Sequence, residues 1–148
     1  MGTVHALTEI IIGVAILGIV AGTLWLPARV EVRILGDLLV VRPRGLDMLL
    51  TMRRQVEIPL SLVAMVRAVP RGQAPQPLIR PPRRVFPGGG ITAGSFGAGA
   101  DRTFWDVRRA DRVLLVSCRL DAEYKLLVLE VPDPEATAAS LNAVLAGR

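Results

Sequence analysis

The spacing of apolar and polar residues changes character three times along the chain. From Ile10 to Leu26, IIIGVAILGIVAGTLWL, there is no charge, and ten of seventeen residues are Ile, Leu or Val. A helix apolar on every face has no place in the core of a small domain, so this stretch predicts a membrane span. Seventeen residues rise roughly 25 Å, just under a hydrocarbon core of about 30 Å. Extending back to Ala6 lengthens the helix and brings in Thr8 and Glu9 at its edge, where a charge costs little. Trp25 and Arg29 beyond it are the aromatic and basic markers of an interface. A signal peptide fits poorly. The stub before the run, residues 1–9, has no Lys or Arg, and no small-residue cleavage site follows.

After Pro27 the period drops to two. Val30, Val32 and Ile34 alternate with Arg29, Glu31 and Arg33, which predicts a half-buried strand. Gly36-Asp37 turns the chain into a second strand, Leu38–Arg42. Leu46–Met52 reads as a further strand, and Val56–Leu60 leads into another at Leu62–Val69. Residues 70–100 then form a Pro- and Gly-rich segment, read as a long loop or as a strand with a wide insertion. Arg102–Arg109, Val113–Cys118 and Tyr124–Val131 read as three strands of an antiparallel meander. Phe104 and Trp105 are adjacent, so the alternation sends one to the core and the other to solvent.

The period changes again at the end. Asp133 is a natural N-cap, Pro134 suits the first turn, and Glu135 complements the positive end of a helix. Ala138, Leu141, Val144 and Leu145 share one face and Gly147 ends the run. This predicts an amphipathic C-terminal helix on a sheet. The organisation is therefore a stub (1–9), a transmembrane helix (10–26) and one domain (29–148).

Several motifs in that domain resemble those of bacterial pleckstrin-homology-like (PH-like) domains. Ile58-Pro59-Leu60-Ser61-Leu62-Val63, with Val66, resembles their fourth-strand stretch. Gly94-Ser95-Phe96-Gly97 is similar to the G-x-F segment after their central loop, and Val128–Glu135 to the hand-over from last strand to helix. The resemblance implies a mainly β fold: a partly open antiparallel barrel of about seven strands, capped by the C-terminal helix. It implies no reaction. In eukaryotic relatives a basic pocket between early strands holds phosphoinositide head groups, whereas bacterial members mostly lack an established ligand.

Charge adds a direction. All eighteen Lys and Arg residues follow the span, with Arg29 and Arg33 close behind it and none before it. The positive-inside rule then puts the N-terminus outside and the domain in the cytoplasm, at the inner (plasma) membrane. The segment Arg29–Arg84 is net +7, whereas Val85–Arg148 is net −1. Arg42, Arg44, Arg53 and Arg54 flank a predicted hairpin, and Arg80, Arg83 and Arg84 lie in the proline-rich part. Near an anionic leaflet each such residue is worth about 1 kcal/mol, which makes the seven candidate lipid-facing residues. Within the span, Ala15, Gly18 and Gly22 form a small-residue face on which a second helix could pack, for self-association or a partner membrane protein.

Catalytic signatures are missing. His5 is the sole histidine, on the far side of the span, and Cys118 the sole cysteine, so neither a His-based triad nor an ordinary zinc site can be assembled. The glycine-rich run lacks the Lys-Ser/Thr of a phosphate loop. No cofactor or metal is expected, and nothing beyond charge points to nucleic acid. The sequence therefore predicts a single-pass, membrane-anchored binding or scaffold module that meets partner proteins and anionic head groups. The alternative is an accessory subunit of a larger membrane complex, docked through its helix.

Overall fold

The computed structural model describes residues 2–24, 26–75 and 91–148. Trp25 and Arg80, Arg83 and Arg84 lie outside the described residues, as does most of the proline-rich segment. Helix α1 runs Gly2–Leu24 and absorbs the expected stub. Its window His5–Gly22 is long and apolar enough to cross a membrane, and none of it is buried against the rest of the chain. At 1.5 Å per residue its 23 residues rise about 35 Å.

The domain is built from two sheets. Strands β1 (Val30–Leu35), β2 (Leu38–Pro43) and β3 (Val56–Pro59) form the first, in that order and antiparallel. Gly36, at φ +60°, makes the tight β1–β2 turn. The second sheet holds β4 (Val63–Pro70), β5 (Thr92–Phe96), β6 (Thr103–Val107), β7 (Arg112–Cys118) and β8 (Leu126–Leu129), in the order β4-β7-β8-β6-β5. The chain is thus mainly β, with eight strands among the described residues, in two sheets that do not close into one barrel.

The expected meander is corrected in one respect. Strand β8 inserts between β6 and β7, antiparallel to β7 and parallel to β6. The alternation of β6 announces a strand but says nothing of its neighbours. The unbroken apolar runs of β7 and β8 are more telling, since a central strand covered on both faces has no polar side to show. All four residues of β8 are buried. Both faces of the second sheet carry a core for the same reason. Phe104 belongs to the cluster between the sheets, with Leu39, Ile58, Leu114, Leu127 and Tyr124. Trp105 belongs to a second cluster on the opposite face, with Phe96, Leu115 and Val128. Neither aromatic is exposed (0% and 1%), contrary to the expectation that one would be.

Two further segments differ from the sequence reading. Residues 46–52 are not a strand: Leu46–Thr51 is a short helix, α2. Gly45 at φ +61° breaks the extended path, and Met52 at φ +54° ends the helix. Asp47 and Thr51, one turn apart, point inward, while Met48 and Leu49 face outward. The apolar residues that suggested a buried strand are the exposed side of the helix. Within 70–100, Thr92–Phe96 is a strand that pairs along β6 from Thr92↔Val107 to Phe96↔Thr103, and residues 76–90 lie outside the described residues. The C-terminal helix α3 (Pro134–Ala146) forms as expected. Asp133 Oδ1 accepts from Ala136 N at 2.9 Å. Ala138 and Leu141 enter the inter-sheet core, and Asn142 Nδ2 donates to Val66 O at 2.8 Å.

Candidate functional site: the junction between helix and domain

The linker from α1 to β1 is held by buried charge. Ala28 N donates to Glu130 Oε1 at 3.2 Å, and Arg29 N donates to Asp47 Oδ2 at 2.6 Å. Arg108 Nη1 donates to Leu26 O at 3.3 Å, and the same guanidinium is ion-paired with Asp47. Arg44 N closes the other side on Arg29 O at 2.8 Å. Three residues of the linker, Leu26, Ala28 and Arg29, are thereby held by groups from α2 and the residue pair before it, from the β6–β7 turn and from the end of β8.

Glu130 does more than hold the linker. Its Oε2 accepts from three successive amides, Arg108 N at 2.6 Å, Arg109 N at 2.8 Å and Ala110 N at 3.2 Å. This satisfies the turn between β6 and β7, whose amides have no strand partner there. The fourth charge is Asp106, on the core face of β6 beside Phe104. Its carboxyl has no exposed surface and no hydrogen-bond partner. Burial pushes its pKa up to about 8, with Asp47 and Glu130 adding to the rise and Arg108 opposing it. At neutral pH the Asp106 carboxyl is therefore mostly protonated. Asp47 and Asp106 are fully enclosed and Arg108 and Glu130 nearly so, so no substrate reaches them. The arrangement is a clamp.

None of these four residues was singled out by the sequence reading. A signal did exist. Asp106 follows Phe104 by two along a strand, so the alternation that buries one buries the other. Glu130 directly follows the apolar run of β8.

A cleft of about 470 Å³ opens on the outer face of the second sheet, toward the end away from the linker. Phe96, Leu115 and Leu126 form its apolar floor, and Arg67 and Lys125 stand at its rim. Lys125 Nζ lies 3.1 Å from Asp101 Oδ1, whereas Arg67 is exposed and unpaired. Cys118 also lines the cleft. Burial pushes its thiol up to about 11, which keeps it protonated and poorly nucleophilic.

The described members of the expected basic set are placed around α2 rather than around a hairpin. Arg42 and Arg44 precede it, and Arg53 and Arg54 follow it. Arg42 Nε donates to Gln55 Oε1 at 2.5 Å, and Arg44 Nε to Glu31 Oε2 at 2.6 Å. The hydrogen bond from Arg44, aided by the charge of Arg33, holds the Glu31 carboxyl below its usual range. Arg53 pairs with Glu123 at 3.0 Å, and Arg54 is exposed and unpaired. Exposed pairs of this kind contribute only about 0–1 kcal/mol, so these side chains remain free to exchange partners. Ala15, Gly18 and Gly22 lie on the open surface of α1. Among the described residues, no group of three or more His, Cys, Asp or Glu is placed to hold a metal ion.

Comparison with protein-family models, with characterised proteins and with solved structures finds no match to this chain.

Proposed function

We propose that the protein is a single-pass, membrane-anchored PH-like binding module, which holds a partner protein beside the cytoplasmic face of the membrane and uses anionic head groups as auxiliary contacts. One observation carries the reading: the clamp of Asp47, Arg108 and Glu130 on residues 26–29. A module tethered by a loose linker samples every orientation, and its surfaces meet the membrane and a partner at random. A linker held by four hydrogen bonds, one buried and two partly buried, restricts how the domain can swing behind its helix. That suits a protein whose task is presentation, and the enclosed clamp offers no reacting group. The outer face of the second sheet, with its cleft between Arg67 and Lys125, is the surface such a module would present. The arginines near the linker support the inward orientation through the positive-inside rule. The short motifs of residues 58–66, 94–97 and 128–135, and the capping helix α3, support PH-like ancestry. The parallel β6–β8 pair is a departure from an all-antiparallel barrel.

The second reading is an accessory subunit docked through its helix. It is favoured by the exposure of the apolar window His5–Gly22 of α1, none of which is buried.

Affinity capture of the full chain from native membranes, after cross-linking, separates the two. In the first reading a co-purifying partner is lost on Arg67→Glu with Lys125→Glu and kept on Gly18→Leu with Gly22→Leu. The reverse outcome establishes the subunit reading. Capture of nothing by the wild type refutes both.

A further inference from the structure

Helix α2 is apolar on the wrong side for a soluble domain. Its inward residues are Asp47 and Thr51, both at or below 3% exposure, while Met48, Leu49 and Met52 are 37%, 68% and 77% exposed. Met48 and Leu49 lie on the outward side of the helix, and Met52 follows it directly as its left-handed C-cap. The other large apolar residues exposed in the described part of the domain, such as Leu35, Met65 and Leu120, are scattered over separate strands and turns. Scattered exposure needs no explanation, but a contiguous group does.

The position of α2 is as telling as its polarity. Asp47, in its first turn, accepts from the backbone of Arg29. Arg29 is five residues past the end of α1 at Leu24. Five residues reach at most about 18 Å even when fully extended, and six helical residues add only about 9 Å. The clamp therefore keeps the whole of α2 within the reach of the membrane surface. Leu26, beside it on the linker, is also 45% exposed. Arg44 before the helix and Arg53 and Arg54 after it rim the apolar group with positive charge. Apolar side chains level with the acyl boundary and arginines level with the head groups are the pattern of an interfacial helix.

We infer that α2 is a membrane-interface element: Met48, Leu49 and Met52 enter the outer acyl region of the leaflet beside α1, and Arg44, Arg53 and Arg54 contact anionic head groups around them. The inference rests on the reading of α1 as a membrane span. The buried polar side of α2 has the matching role. Asp47 and Thr51 tie the helix to the linker and to its own backbone, with Thr51 Oγ1 donating to Asp47 O at 2.8 Å. The apolar residues are thereby left pointing away from the domain core.

The full chain, with Cys118→Ser throughout, is reconstituted into phosphatidylcholine vesicles with and without phosphatidylglycerol. A bimane label is placed through Leu49→Cys or, as the control, through Leu120→Cys on the β7–β8 turn (81% exposed). Quenching by lipids carrying a shallow nitroxide is read at both positions. The label at position 49 is expected to be quenched at least about threefold more than that at 120, as for a side chain about 5–10 Å into the boundary. The difference should hold on dilution of protein in lipid, and shrink with Met48→Ser and Met52→Ser together or with Arg53→Gln and Arg54→Gln together. Equal quenching at the two positions, with the protein still in the carbonate-washed membrane pellet, overturns the inference and leaves the span intact. Shielding that grows with protein density identifies a second copy as the occupant and also overturns it. Quenching indifferent to phosphatidylglycerol removes the arginines from the contact. Loss from the washed pellet refutes the span itself, and the inference with it.

Discussion

Asp106→Asn isolates the energetic cost of the enclosed acid. The native carboxyl titrates at about 8, against an ordinary 3.8. A folded-state pKa above the unfolded one means that the folded chain binds the extra proton between those two values. Stability is then full below about pH 4 and falls as pH rises toward 8, at 1.36 kcal/mol per pH unit per proton. From pH 6 to pH 9 only the last two units below 8 contribute, so the wild type should lose about 3 kcal/mol in that window. Cys118, held near 11 against an ordinary 9.0, adds only about 0.4 kcal/mol of loss by pH 9, and adds it to wild type and variant alike. An asparagine keeps the shape of the carboxyl and carries no charge. The variant should match the wild type within about 1 kcal/mol at pH 6 and exceed it by about 2–3 kcal/mol at pH 9. The assay is urea denaturation of the full chain in detergent, followed by tryptophan fluorescence, with the slope checked to be unchanged by pH. A wild type whose midpoint is flat from pH 6 to 9, or a variant with the same pH dependence as the wild type, would refute the assignment of the burden to Asp106.

Other positions test separate parts of the fold. Glu130→Ala leaves the amides of Ala28, Arg108, Arg109 and Ala110 without their acceptor and should cost about 3–5 kcal/mol in the same denaturation assay. It should also expose the 26–29 linker to protease while wild type resists. Gly97→Ala places a methyl group 2.6 Å from the backbone oxygen of Asp101 at φ +80°, and we expect a loss of about 2–4 kcal/mol by thermal or urea unfolding. Asp133→Ala removes the cap of α3 and should lower stability by about 1 kcal/mol, with Asp133→Asn restoring most of it.

Where a local rule was strong, the sequence spoke clearly. The uncharged run of α1, the Gly36-Asp37 turn and the Asp133-Pro134-Glu135 cap each depend on residues a few positions apart, and each is present. Pairing depends on residues far apart. Nothing in Thr103–Val107 states that its parallel neighbour will be Leu126–Leu129. Helix α2 was misread because apolar residues were taken as inward, whereas Asp47 and Thr51 are the ones with inward partners. The candidate site was least legible of all. Arg42, Arg44, Arg53 and Arg54 could be chosen from charge, but the clamp unites residues 28, 47, 108 and 130 through tertiary contacts alone. A carboxylate in an apolar strand was the one available sign, visible at Asp106 and at Glu130.

The placement of β8 sets the timing of folding. It is the last strand to be synthesised, yet it is central in its sheet, with β7 on one side and β6 on the other. A nascent chain that ends before Leu126 can pair β4 with β7 and β5 with β6, but β8 is the strand that joins these two pairs in one ladder. The acceptor for Ala28, 102 residues away at Glu130, arrives just after β8 does. Closing contacts at such separation is slow relative to local ones. Helix α1, complete at Leu24, is thus synthesised well before the sheet or the clamp can exist. The linker behind it becomes fixed only in the step that completes the core.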